Sequence, residues 1–328
     1  MGARIIGTGR YLPKKVLTNK ALEKMVNTTD EWITTRTGIK ERRIAAPDEF
    51  TSTMALKAAK QALKKANKSP QDIDLILVAT FTPDYIFPSV GCLLQEALGC
   101  KNIPAFDFQA ACTGLLYGLS LAKGFIESGL YSNILLIAAE KMSSVVNYED
   151  RSTCILFGDG AAACVVSNEG KGLKILDCIL GSDGCQAELI MQPAGGSKMP
   201  ASIKSIQDKL HYVQMEGRET FKHAVKRMLE ACQQCMAKNN IFEDQIDWVV
   251  PHQANDRIIE AVAKRFNIPD EKVFKTVHKY GNTSASSIGI ALDELLEEKD
   301  VKAHDYLLLT AFGAGLTWGA TILEKVDR

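Results

Sequence analysis

An excess of charge of either sign is missing from this 328-residue chain, in which 39 Lys and Arg face 39 Asp and Glu. That balance excludes a binder of nucleic acid or anionic membrane acting through bulk charge. No apolar run reaches the roughly 20 residues that span a bilayer. Low-complexity blocks and long like-charge runs are lacking too, which excludes a disordered chain. The nine cysteines are odd in number and follow no framework spacing, a usage that suits a reducing cytosol better than a disulfide-stapled secreted fold. The opening stretch, MGARIIGTGRYLP, has neither the apolar core nor the small-residue cleavage site of a signal peptide. With 46% apolar residues the chain can fill the core of one large or two medium domains. These readings predict a cytoplasmic α/β enzyme without nucleic-acid or membrane partners.

Short apolar runs bounded by polar or turn residues predict buried strands at Asp74–Ala79, Ala105–Phe108, Ile134–Ala138, Ala161–Val166, Asp247–Val250 and Tyr306–Thr310. Helical periodicity falls between them, at Met54–Ala66, Gly114–Ser128, Arg218–Lys238, Asp256–Phe266 and Ser287–Glu298. The alternation implies βαβ units and a mixed, mostly parallel sheet with helices on its faces. A repeat runs through the pattern. Ile73-Asp74 opens one strand and Ile246-Asp247 opens another 173 residues later (246 − 73). Each is followed by a strand, a turn of small residues and a helix, so the expectation is two similar halves related by a pseudo-twofold axis, 1–170 and 171–328. The loop-rich stretch 181–205 fits either half.

Three residues at strand-end turns could carry chemistry. Cys112 follows the strand Ala105–Phe108 and precedes the helix from Gly114, where the positive end of a helix dipole favours a thiolate. Most cysteines are small buried hydrophobes, and that reading is preferred for Cys92, Cys154, Cys164, Cys178 and Cys185. Cys232 and Cys235 form a lone CxxC inside a helix, which supports neither zinc nor redox chemistry. His252 follows Asp247–Val250, at the carboxyl end of a strand, where ligands of parallel sheets gather. The other four histidines read as solvated. Asn282 lies in KYGNTSASS, after a strand expected near Val273–Val277, in residues that also make ordinary turns and caps. The run Phe312–Gly319 reads either as a tight hairpin or as a backbone donor close to a reacting oxygen. Gly7-Thr8-Gly9 fails as a dinucleotide motif, since Leu12 stands at its sixth position.

Nine segments in order give the chain a resemblance to the β-ketoacyl-acyl-carrier-protein synthase III family, the condensing enzymes that initiate type II fatty-acid synthesis. They are GTGRYLP, DEWITTRTGIKERR, FPS, DFQAACTG, DRSTCILFGDGA, MEGRETFKHAV, PHQANDRI, GNTSAS and FGAGLTWG. The resemblance covers essentially the whole chain and implies a thiolase-type fold. It also implies a two-step Claisen condensation of a short acyl-CoA, acetyl-CoA above all, with malonyl-acyl-carrier protein. Cys112 would be the nucleophile, and His252 and Asn282 the donors to the malonyl thioester oxygen. The N–H groups of Cys112 and Ala314 would serve the acyl oxygen, although many members carry three glycines where this chain has Gly313-Ala314-Gly315. By the same resemblance Trp32 and Arg151 sandwich the adenine of CoA, Arg36 meets its phosphates, and Gly217 and Asn255 line the pantetheine tunnel. Phe87, Met142, Phe157 and Leu189 shape the acyl pocket, with Phe87 reaching across a homodimer interface. Lys222, Arg257, Lys264 and Arg265 form a patch for the acidic carrier protein. No metal or resident cofactor is implied, since CoA enters as part of a substrate.

Two other readings compete. One is a related thiolase-fold enzyme, an HMG-CoA-synthase-like or polyketide ketosynthase, which a requirement for a carrier-bound extender would separate. The other is an acyl-CoA or carrier-binding protein without activity, which would have no use for Cys112, His252 and Asn282 together.

Overall fold

The computed structural model describes residues 2–266 and 268–327. Its principal elements are β1 (Arg4–Tyr11), α1 (Asp30–Thr37), α2 (Thr51–Lys65), β2 (Leu75–Ala79), α3 (Val90–Leu98), β3 (Ala105–Phe108), α4 (Gly114–Glu127), β4 (Asn133–Glu140) and β5 (Gly160–Ser167). They continue with β6 (Gly172–Ser182), α5 (Gly217–Asn239), β7 (Ile246–Pro251), α6 (Asp256–Arg265), α7 (Ser287–Glu298), β8 (Tyr306–Gly313) and β9 (Thr317–Val326).

Nine strands form one hydrogen-bonded sheet in the order β7-β8-β9-β6-β1-β5-β4-β2-β3. Its two sides repeat one plan. β2 pairs β4 in parallel as β7 pairs β8, while β4–β5 and β5–β1 are antiparallel like β8–β9 and β9–β6. The join between the sides is short, since β1 and β6 share only the pairs Arg4↔Lys174 and Ile5↔Leu173. The sheet is therefore mixed. Its parallel pairs lie where the crossover helices connect strands, and its centre is antiparallel.

One expected strand is absent. The place equivalent to β3 in the second side holds a single bridge, Val249↔Val273, and the chain turns into a short helix at Val277–Tyr280. Gln253 explains the difference. Its side-chain oxygen accepts the N–H groups of Thr276 (2.7 Å) and Val277 (3.0 Å), and its amide donates to the carbonyls of Pro251 (2.7 Å) and Phe274 (3.3 Å). A buried side chain thus satisfies backbone groups that a strand ladder would otherwise have paired.

Helices α4 and α7 lie between the two sides of the sheet. Leu115, Leu116 and Leu119 of α4 and Ile288, Leu292 and Leu295 of α7 share one core with Leu77, Leu136, Leu307 and Leu309. Each such side chain contributes about 1.5–3 kcal/mol of burial. Because the first nine residues of α7 are enclosed on every face, Asp293 and Glu294 are buried as well. Asp293 accepts Thr8 Oγ1 (2.6 Å) and Lys65 Nζ (2.6 Å) and is also paired with Arg10. The glycines of β1 serve packing against α2: a Cβ on Gly7 would stand 2.5 Å from the carbonyl of Ala62, and one on Gly9 2.3 Å from that of Ala58. Cys154 and Cys164 are buried as expected, but Cys92 on α3 and Cys185 in a surface turn are exposed. No helix among the described residues is long and apolar enough to cross a membrane.

Candidate active site

The nucleophile candidate stands on an elbow between β3 and α4. Ala111 takes the left-handed conformation (φ 44), and a single 3-10 turn, Ala111–Thr113, leads into Gly114. Such a conformation in a residue with a Cβ is held by its surroundings. Here Thr113 Oγ1 donates to the carbonyl of Ala110 at 2.6 Å and meets Thr317 Oγ1 of β9 at 2.9 Å.

A second elbow faces the first. Ser284 is also left-handed (φ 52), and the 3-10 turn Ser284–Ser286 leads into Ser287 of α7. Ser284 follows Ala111 by 173 residues (284 − 111), the same interval as the strand repeat. Cys112 therefore has Ala285 as its counterpart (285 − 112). The two elbows touch where Ser284 Oγ donates to Cys112 Sγ at 3.4 Å.

Burial pushes the Cys112 thiol up to about 11, while the hydrogen bond from Ser284 acts in the opposite direction. Burial thus opposes the near-neutral thiolate expected from the helix start. Alkylation of Cys112 by iodoacetamide, followed by intact mass, is expected to accelerate about tenfold per pH unit from pH 7 to 9 without a plateau. A plateau below pH 8 would show the thiolate already formed.

His252 is held by its own backbone, whose N–H donates to the carbonyl of Thr310 on β8 at 2.7 Å. Its imidazole is buried, and desolvation pushes it down to about 3, so it is neutral throughout the physiological range. Asn282 is anchored by main-chain bonds to Leu156 (2.9 Å) and Gly158 (3.0 Å). Its side-chain oxygen accepts the N–H of Ser284 at 2.8 Å, which leaves the amide NH2 as the free end. The turn between β8 and β9 crowds the nucleophile: a Cβ on Gly313 would stand 2.8 Å from the Cys112 nitrogen. Ala314 is not among the described residues with positive φ. The hairpin and donor readings of this turn are compatible.

Cys112, His252 and Asn282 all line one cavity of about 1120 Å³. Trp32, Arg36, Met142, Phe157, Gly217, Lys222, Asn255, Arg257 and Ala314 line it too. Asn255 has a structural task as well, since its side-chain oxygen caps α6 through the N–H of Ile258 (3.0 Å). Arg151 is not a wall residue. Its guanidinium lies 4.6 Å from the centre of the Trp32 ring and donates to the Asn27 carbonyl at 2.9 Å, while Arg36 lies 4.9 Å from the same ring. Leu189 is also outside the cavity, packed against the neighbouring core, whereas Ala187 and Ile190 line the cavity. Phe87 is 83% exposed beside Ile86 at 88% and Tyr85 at 60%. Lys264 and Arg265 sit on the outer face of α6, two turns from Arg257, whose guanidinium lies 5.7 Å from the Phe221 ring. Reading the sequence missed Ser284 and Arg218, the latter on the cavity wall next to Gly217. The 173-residue interval, applied to Ala111–Gly114, points to Ser284.

A cysteine elbow facing a histidine and an asparagine across one cavity, on a duplicated mixed sheet, places the protein among thiolase-fold enzymes. Family models narrow this further. Residues 106–184 match 3-oxoacyl-[acyl-carrier-protein] synthase III, and residues 236–325 match its C-terminal part. The chain belongs to the 3-oxoacyl-[acyl-carrier-protein] synthase III family. It is 59% identical to the β-ketoacyl-[acyl-carrier-protein] synthase III of Chlamydia muridarum over 99% of this chain and 100% of that one. It is similar to the solved synthase III of Aquifex aeolicus VF5 with a TM-score of 0.92 at 51% identity, covering 98% of this chain and 100% of that chain. The solved synthase III of Pseudomonas aeruginosa PAO1 matches with a TM-score of 0.91 at 36% identity, covering all of both chains.

Proposed function

We propose that the protein condenses a short acyl-CoA, preferentially acetyl-CoA, with malonyl-acyl-carrier protein to give 3-oxoacyl-carrier protein, CoA and CO2, the initiating step of fatty-acid synthesis. The observation that carries this reading is the shared cavity of Cys112, from the half 1–170, with His252 and Asn282, from the half 171–328.

In the first step Cys112 Sγ attacks the acyl carbon and the bond to the CoA sulfur breaks, with the thiol proton leaving on CoA. In the second, the malonyl carboxylate departs as CO2 and its electron pair forms the enolate of the carrier thioester. The enolate carbon attacks the acyl group, and Cys112 is released as thiolate, which takes one proton from solvent to restore the thiol for the next cycle. His252 and the Asn282 amide donate to the enolate oxygen, and the N–H groups of Cys112 and Ala314 hold the acyl oxygen.

Trp32 and Arg151 take the adenine between them, with Arg36 at the phosphates and Gly217 and Asn255 along the pantetheine arm. Arg151 now rests on the Trp32 ring, so nucleotide entry requires it to swing away. Met142 and Phe157 bound the acyl pocket beside Leu189. The bare Phe87 supports a homodimer in which this residue reaches the partner's pocket. Lys222, Arg257, Lys264 and Arg265 receive the acidic carrier protein. The enzyme works in the cytoplasm and needs no resident cofactor.

Steady-state rates with acetyl-, isobutyryl- and octanoyl-CoA test the primer. The kcat/KM for acetyl-CoA is expected to exceed the other two by about tenfold or more. A higher value for either would overturn the primer assignment. Equal rates with malonyl-CoA and malonyl-carrier protein would overturn the carrier requirement.

A further inference from the structure

The two donors assigned to the enolate oxygen each have a second polar atom, and what that atom binds decides which way the donor points. For Asn282 the second atom is held by the Ser284 N–H. For His252 it is Nδ1, which lies 2.6 Å from Oγ of Ser287, the first residue of α7.

Ser287 Oγ also accepts the N–H of Gln253 at 3.3 Å. A main-chain N–H can only donate, so it occupies one lone pair of the oxygen and leaves the hydroxyl proton to be placed elsewhere. Bulk solvent does not reach Ser287, which is 1% exposed. The carbonyl four residues back, that of Thr283, already accepts Ser286 Oγ (2.9 Å) and the Ser286 N–H (3.3 Å). Nδ1 of His252 is the remaining acceptor at hand.

We infer that Ser287 is a positioning residue that donates its hydroxyl proton to His252 Nδ1 and so holds the imidazole as the Nε2–H tautomer. The opposite arrangement would direct both Nδ1–H and Gln253 N–H at the serine oxygen and leave a buried hydroxyl proton without an acceptor. Its population is expected to be lower by at least about fivefold.

The inference rests on the condensation proposed above and adds a constraint to it. An Nε2–H meets the growing charge of the enolate oxygen as a donor, whereas a bare Nε2 would meet it with a lone pair. The same tautomer gives Cys112 no basic nitrogen at Nε2, in keeping with departure of the thiol proton on CoA.

Protein labelled with 15N-histidine, examined by two-bond proton–nitrogen correlation, reports which ring nitrogen of His252 carries the proton. His252→Ala identifies the signal among the five histidines. The expected result is a protonated Nε2 and a bare Nδ1 in the wild type. In Ser287→Ala a mixture of tautomers is expected, with condensation slowed about 10- to 100-fold and cysteine loading slowed less. Ser287→Thr, which keeps the hydroxyl, should restore both readouts. A protonated Nδ1 in the wild type would overturn the inference. So would an unchanged tautomer and condensation rate in a folded Ser287→Ala. Failure of acetyl-CoA to label Cys112 would instead overturn the underlying reaction, and it is read in a separate assay by mass.

Discussion

Cys112→Ala is expected to remove acyl transfer altogether. Incubated with acetyl-CoA, the wild type should gain one acetyl group by intact mass and pass it to malonyl-carrier protein, while the variant gains none. Overall turnover should fall by at least about 10⁴-fold, as when a covalent nucleophile is lost. The fold should tolerate the change, because sulfur gives way to a smaller apolar group among the small residues of the elbow, a loss of about 1 kcal/mol. Melting temperature therefore separates a chemical defect from a structural one. An acyl adduct that survives in Cys112→Ala would assign the nucleophile elsewhere.

The next largest effect is expected at the two donors. His252→Ala and Asn282→Ala should each slow the condensation by about 10²–10³-fold, the usual loss when one donor to a developing oxyanion is removed. Loading of Cys112 should suffer less, since neither group is asked to act there. Asn282→Asp is the sharper variant. It keeps the acceptor for the Ser284 N–H, yet replaces the amide donors with a carboxylate beside an enolate. It should be slower than Asn282→Ala. Effects in the double variant should fall short of the product of the two, because both groups serve one oxygen. Single-turnover discharge of the acetylated enzyme measures all of these, and an unimpaired discharge in His252→Ala would remove that residue from the reaction.

Strands that are apolar on both faces were readable as runs, and Leu75–Ala79 and Tyr306–Gly313 are such strands. Strand Arg4–Tyr11 was not readable, because the glycines that admit α2 interrupt its apolar pattern. Strand Gly172–Ser182 escaped because many of its residues are only half-buried. Helix Asp30–Thr37 is short and polar, with Ile33 and Thr37 alone buried, and it left no periodic signal. The strand expected at Val273–Val277 failed for a reason that no local pattern carries, the long-range bonds of Gln253. In the site, Cys112 and His252 stood out because each follows a strand, whereas Asn282 follows a short helix among ordinary turn residues and was legible mainly through the family segment GNTSAS. Ser284 and Ser287 did not stand out, since serines before a helix are ordinary capping residues and only contacts across the fold distinguish these two. Arg151 and Leu189 fell outside the cavity wall because the direction of a side chain on a loop or short turn is set by packing that sequence does not display.

The paired elbows have an electrostatic consequence for a protein with no net charge. Helices α4 and α7 begin within three residues of the contact between Cys112 and Ser284, so the positive ends of two macrodipoles stand beside one partly buried point. With a neutral thiol between them the two ends repel, and the folded core carries that frustration. An anion formed there, whether the released thiolate or an enolate beside it, relieves the repulsion from both sides at once. The duplicated architecture thus makes the ground state slightly uncomfortable in the place where negative charge must later appear. A single copy of the unit, with one helix start, would supply only half of that field.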